Sequence, residues 1–283
     1  MLSTVLETEN RVGFAGVGVL GQGINEIITT GEIIRLEDIR DAATRIAPYI
    51  KRTPLFRDET LSGRFGSNFY LKYESLQKTG AFKVRGAFNK MLTLTDEQKE
   101  RGVVAVSAGN HAQAVAYAAK TLGVRALILM PESTPENYLK QTIRYGAEIE
   151  TFADLSAAFD AAEIYKIVGM TFIHPFDDAD VVAGQGTIGL EILEDVPQVT
   201  DVIVSIGGGG LSGGVAAAIK SLKPDVNVWG AETVGAESMS ISLDADEIVE
   251  LTEITSIART LGAQRVGELN FELAKRYLSG VTV

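Results

Sequence analysis

Three short segments of this sequence place reactive or anion-binding groups where the backbone can serve them. The first is Gly207-Gly208-Gly209-Gly210-Leu211-Ser212-Gly213-Gly214, between a buried-looking apolar run and an alanine-rich one. Without Cβ atoms an anion can approach the main chain closely, and the free N–H groups and dipole at a helix start favour a phosphate. Ordering consecutive glycines costs conformational entropy, so a tight turn alone explains them poorly. The second is Ser107-Ala108-Gly109-Asn110-His111-Ala112-Gln113, at the equivalent place after another apolar run. It offers backbone donors at a helix start, with hydroxyl and amide groups that can hold a carboxylate or a ring hydroxyl. The plainer alternative is that Ser107 or Asn110 caps the helix. The third is Lys83, flanked by Ala81, Phe82, Val84 and Gly86. An amine among small and apolar neighbours is poorly solvated, which lowers its pKa and leaves it able to form a Schiff base. A phosphate cradle, a carboxylate cradle and such a lysine together make the minimal set for an aldehyde cofactor that processes amino acids.

Regular elements must hold these segments in place. Val103 to Val106 reads as a buried strand, Ala112 to Leu122 as an alanine-rich helix, and Ala126 to Met130 as a second buried strand. The rhythm recurs in Val202 to Ile206, a helix from Gly213 to Leu222, and Val226 to Gly230. Apolar runs separated by helices predict parallel βαβ units, hence an α/β chain with two doubly wound open sheets. Earlier, apolar spacing from Leu36 predicts a helix that stops before Pro54, and Phe69 to Lys72 predicts a short strand. The run from Gly13 to Gly23 lacks the strand and helix that a dinucleotide fingerprint needs, so residues 1–30 read as an extension. The boundaries that follow are a larger cofactor-binding domain over 31–100 and 180–283, with a smaller domain inserted at 101–179.

Composition narrows the functions further. With 26 basic against 37 acidic residues the net charge is −11, which disfavours nucleic acid and anionic membrane. The absence of cysteine excludes disulfides and thiolate chemistry and suits a cytoplasmic protein. Two histidines, His111 and His174, are too few for a His-rich metal site. No apolar run reaches the roughly 20 residues of a membrane span, and no signal peptide is read.

The segments KTGAFKVRGAFNKM, SAGNHAQAVAYAAK, MPESTPENYLKQTIRYGAE, AGQGTIGLEI and GGGGLSGG, in that order, closely resemble the threonine/serine dehydratase and serine racemase family. The likeness runs from about Ile34 to the C-terminus. It implies the tryptophan synthase β-like fold of type II pyridoxal 5'-phosphate (PLP) enzymes, with PLP on Lys83, Phe82 against its ring and Asn110 on its phenolic oxygen. Gly207, Gly208, Gly209, Gly210 and Leu211 would hold the phosphate, while Ser107, Ala108, Gly109 and His111 would grip the substrate carboxylate. The implied activity is an ammonia-lyase that dehydrates threonine, serine or a related β-hydroxy amino acid to a 2-oxo acid. The partners implied are the small amino-acid substrate and a second copy of the chain.

The departures are informative. Racemases of the family carry a serine where this sequence has Ala108, and a methyl group delivers no proton, so elimination is favoured over racemisation. Ala81 stands where the family usually has serine, which would shift preference toward a larger or differently charged substrate. A divalent-cation site in some members would match Glu232, but its second carboxylate would fall on Ser238. His174 reads as structural and Arg85 as paired with a carboxylate. Relatives continue past the segment matched by Tyr277 to Val283 with an element that partners the pyridine nitrogen. A PLP-binding protein of little activity is therefore a third reading.

Overall fold

The computed structural model describes residues 33–283, so the glycine-rich run at 13–23 and the extension assigned to 1–30 lie outside the described residues. Ile34–Val283 form one compact unit. Helix α1 (Leu36–Ile46) turns Ile39, Ala42 and Ile46 into the core at helical spacing. Strands β1 (Leu55–Arg57) and β2 (Tyr70–Lys72) pair antiparallel across helix α2 (Glu59–Phe65). Helix α3 (Lys83–Thr93) begins on Lys83, and α4 (Asp96–Arg101) opens with a capping box between Thr95 and Gln98.

The first parallel sheet follows. It is built from β3 (Val103–Val106), α5 (Asn110–Leu122), β4 (Ala126–Pro131), α6 (Glu136–Arg144), β5 (Glu148–Phe152), α7 (Leu155–Ile167) and β6 (Thr171–Phe172). Strand order is β5-β4-β3-β6, all neighbours parallel. Every residue of β3 and β4 is buried, as the near-continuous apolar runs require of strands covered on both faces. The chain winds outward from β3 to β5 and then returns to the other side of β3 for β6. The strand order thus reverses between β3 and β6, and such a reversal is where open α/β sheets bind ligands.

The second sheet comes from α8 (Ala179–Asp195), β7 (Asp201–Ser205), α9 (Gly210–Leu222), β8 (Asn227–Ala231), α10 (Ser238–Ala245), α11 (Glu268–Tyr277) and β9 (Gly280–Thr282). Its strands run parallel in chain order, β7-β8-β9. Val202, Val204 and Val228 pack one face onto Val215 and Ile219 of α9, while Ile203 and Trp229 stand on the exposed side.

Helix α8 lies against α1, α3 and α9, and glycines make that closeness possible. A Cβ on Gly184 would meet the Cα of Gly86 at 2.7 Å, and one on Gly186 would meet the carbonyl of Gly214 at 2.9 Å. The start of α3 is locked by ion pairs as well. Arg85, fully buried, donates to Glu74 at 2.9 and 2.8 Å, to Glu191 at 2.7 and 3.0 Å, and to Thr187 at 3.1 Å. All five guanidinium hydrogens thus have acceptors. Lys72 adds its charge to Glu191 at 2.5 Å and donates to the Thr53 carbonyl at 2.7 Å. Two cations and two carboxylates therefore neutralise one another, as the pairing read for Arg85 anticipated.

Candidate active site

Lys83 is the first residue of α3, reached through a turn in which Gly80 holds φ at +75°, open to glycine at no steric cost. Its Nζ donates to the Pro175 carbonyl at 2.6 Å and sits 5.3 Å from the Phe82 ring centre. No carboxylate among the described residues pairs with it, and burial brings the amine down to about 8. About one amine in ten is then neutral at pH 7, against about one in three thousand at the ordinary value. The burial itself matches what the small and apolar neighbours of Lys83 suggest.

The acceptor of Lys83 belongs to His174-Pro175-Phe176-Asp177, the segment that leaves β6 beside the sheet reversal. His174 Nδ1 accepts from the backbone N–H groups of Phe176 (3.2 Å) and Asp177 (2.6 Å), so any proton of the neutral ring is on Nε2. Burial and the nearby Lys83 charge hold this histidine down at about 4. It tightens a turn, in agreement with its structural reading. Asp177 accepts from the N–H groups of Glu268 and Leu269, both at 3.1 Å, and so caps α11. The Phe176 ring covers Gly208 so closely that any Cβ there would overlap it. Sequence reasoning missed Pro175, Phe176 and Asp177. Their one local signal was the acidic pair ending FIHPFDD, and its helix partner lies 91 residues away.

The tetraglycine loop joins β7 to α9. Gly209 caps the helix at φ +93°, and the Ser212 hydroxyl donates back to its carbonyl at 2.9 Å. A Cβ on Gly207 would meet the Leu261 carbonyl at 2.9 Å, and one on Gly210 the Phe176 carbonyl at 2.7 Å. Close packing behind the loop is thus a sufficient reason for several of its glycines. What points to an anion is the other side, where main-chain N–H groups gather at the start of α9.

Ser107 to His111 occupies the matching place after β3. Gly109 caps α5, and its N–H donates to the Ser107 hydroxyl at 3.1 Å. His111 Nε2 meets the Ile173 carbonyl at 2.8 Å, which requires the proton there. Burial, with Lys83 second, lowers His111 to about 3, and its Nδ1 has no partner among the described residues. A neutral ring whose one proton is engaged offers a lone pair and cannot donate to a carboxylate. A carboxylate grip at this position must come from the N–H groups opening α5.

Glu232 lies elsewhere. Both of its oxygens accept from the first turn of α10, Met239 N and Ser240 N at 2.8 Å each, and burial raises its pKa. Among the described residues no group of three His, Cys, Asp or Glu is placed to hold a metal ion. Nor is any described helix long and apolar enough to cross a membrane.

The family of pyridoxal-phosphate dependent enzymes matches residues 46–283. The chain belongs to that family. This PLP-dependent enzyme is 44% identical over 248 residues to the L-threonine ammonia-lyase of Thermotoga maritima, covering 87% of the chain and 62% of that relative. It is 43% identical over 253 residues to a catabolic L-threonine dehydratase of Staphylococcus aureus, covering 88% and 72%. Among solved structures, maize serine racemase superposes with a TM-score of 0.86 at 37% identity, covering 88% of this chain and 76% of that one. Serine racemase from Dictyostelium discoideum gives 0.84 at 38%, covering 89% and 81%. The chain thus spans less than two thirds of the Thermotoga maritima relative's length. The fold is the type II α/β architecture its motifs implied.

The residues present fit the family's cofactor. A phosphorylated aldehyde needs an amine with a lowered pKa and an anion cradle, and Lys83 and the turn before α9 supply them. The unpartnered Nδ1 of His111 leaves a further acceptor near the same amine.

Proposed function

We propose that the chain is a dehydratase that converts L-threonine, L-serine or a related β-hydroxy amino acid to a 2-oxo acid and ammonia, the water lost from the β-carbon being regained on hydrolysis. The observation that carries this reading is the Lys83 amine. It is desolvated, bonded among the described residues only to the Pro175 carbonyl, and set beside two loops that open helices with free N–H groups. Threonine ammonia-lyase and dehydratase relatives at 44% and 43% identity support the same substrate class.

PLP, when bound, supplies the electron sink that makes the substrate Cα–H acidic. Lys83 would carry the cofactor, and its Nζ would take the Cα proton. Phe82 would lie on the ring face, Asn110 would meet the ring hydroxyl, and Gly207 to Leu211 would hold the phosphate. The N–H groups of Ser107 to His111 would orient the substrate carboxylate. Ala108 puts a methyl where a second acid would be needed to return the proton from the other face, so elimination is favoured. The racemase neighbour at a TM-score of 0.86 keeps amino-acid racemisation as the second reading. Glu232 holds α10 by both oxygens, and we assign it that task and no cation.

The same reading places the protein in the cytoplasm as a homodimer. It treats 101–179, which contains β3 to β6, as the smaller lobe, and 31–100 with 180–283 as the larger.

The test is to add PLP to the purified protein, follow its visible absorbance, and assay 2-oxo acid from L-threonine and L-serine. Absorbance with keto acid supports the lyase. Enantiomer exchange without keto acid supports the racemase, and no absorbance at all removes both.

A further inference from the structure

We propose that Asn270 is a positioning residue whose side-chain amide sets the separation between the phosphate-holding loop and the amine of Lys83. The inference rests on reading Gly207 to Leu211 as that loop. Asn270 lies in the first turn of α11 and is fully buried. Its Nδ2 donates to the carbonyls of Gly208 and Phe176, both at 2.9 Å. Two amide hydrogens thus meet two acceptors, leaving none for any other partner. Gly208 belongs to the loop, and Phe176 directly follows the residue whose carbonyl receives Lys83 Nζ at 2.6 Å. One planar group therefore spans the two halves of the site.

The direction of the Gly208 carbonyl matters as much as its distance. Carbonyl and N–H of a trans peptide point in opposite directions, and the chain has no cis peptide bond among the described residues. Holding the Gly208 oxygen on Asn270 aims the Gly209 N–H the other way, where it meets no protein acceptor among the described residues. The Gly267 N–H reinforces the same carbonyl at 3.2 Å. Asn270 also backs the loop sterically, since a Cβ on Gly209 would come within 2.6 Å of its own Cβ. Its Oδ1 is buried without a partner among the described residues, so the donor end accounts for the amide.

The test compares PLP with pyridoxal, which has the same aldehyde and no phosphate, on wild type and Asn270→Leu. Binding is read by visible titration, and Lys83 labelling by borohydride reduction with peptide mass spectrometry. The expected result is about a tenfold loss of PLP affinity in Asn270→Leu, the scale of one or two lost hydrogen bonds, with pyridoxal nearly unchanged. Equal losses for both, or no loss, overturn the role of Asn270. A wild type that binds PLP no tighter than pyridoxal instead overturns the reading of the loop itself. Should Asn270→Leu fail to fold, Asn270→Gln keeps both donors on a longer side chain. Lower labelling with PLP than with pyridoxal is then expected, and equal labelling overturns the proposal.

Discussion

Lys83 owes its lowered pKa to what surrounds it, and its neighbours in sequence showed half of that. Ala81, Phe82 and Val84 announced poor hydration, whereas the Pro175 carbonyl, 92 residues on, could not be foreseen. With the amine at about 8, labelling of the cofactor-free protein by a small aldehyde and borohydride should rise through a midpoint near pH 8. An ordinary surface lysine would continue rising toward about pH 10, and Lys83→Ala should remove the early phase together with all turnover. His111 and His174 give a second pH effect, held at about 3 and about 4 by burial and by Lys83. Both stay neutral in the folded protein while the unfolded chain takes up protons below about 6.5. The unfolded state then binds more protons, so stability falls as pH drops from about 6.5 toward about 4. Asp177 and Glu232, raised by burial, act in the opposite sense at the acid end. Denaturant titrations from about pH 7 to about pH 4 should show the loss, and His174→Gln should reduce its slope.

Among the elements, the βαβ rhythm was legible almost residue by residue, because β3 and β4 are apolar throughout and α5 and α9 are rich in alanine. The two-residue β6 and the three-residue β9 were not, since runs that short carry no period and exist through pairing with β3 and β8. Nor did the glycines of AGQGTIGLEI disclose their purpose, which is contact between helices far apart in sequence. A methyl group on Gly184 would press on the Gly86 backbone at 2.7 Å, where no flexible side chain can yield. Gly184→Ala should therefore destabilise by about 1–3 kcal/mol in denaturant unfolding, the usual cost of overfilling a packed contact. Gly63, inside α2 with open space around it, supplies the contrast. Gly63→Ala should stabilise by about 0.5–1 kcal/mol through helix propensity.

At the scale of the molecule, Arg85 connects three otherwise distant pieces of chain: the turn at Glu74, the start of α3 and the end of α8. Its pairing with some carboxylate was readable from the sequence, while Glu191 as the partner required the fold. Arg85→Met would leave Glu74 and Glu191, both largely shielded from solvent, near Lys72 with one cation between them. Thermal or denaturant unfolding should register a loss of about 3–5 kcal/mol, the penalty of stranding one side of a buried pair. A net charge of −11 repels polyanions at long range.

The cap that Asp177 provides for α11 also fixes an order of events. It spans 91 residues to the Glu268 N–H, and its neighbour Phe176 is held by Asn270 of the same helix. A ribosome that has delivered only about the first 260 residues has already released the lysine and both glycine-containing loops, but not the helix that joins them. Cofactor capture should thus await the emergence of α11, after every strand of the first sheet has already left the ribosome.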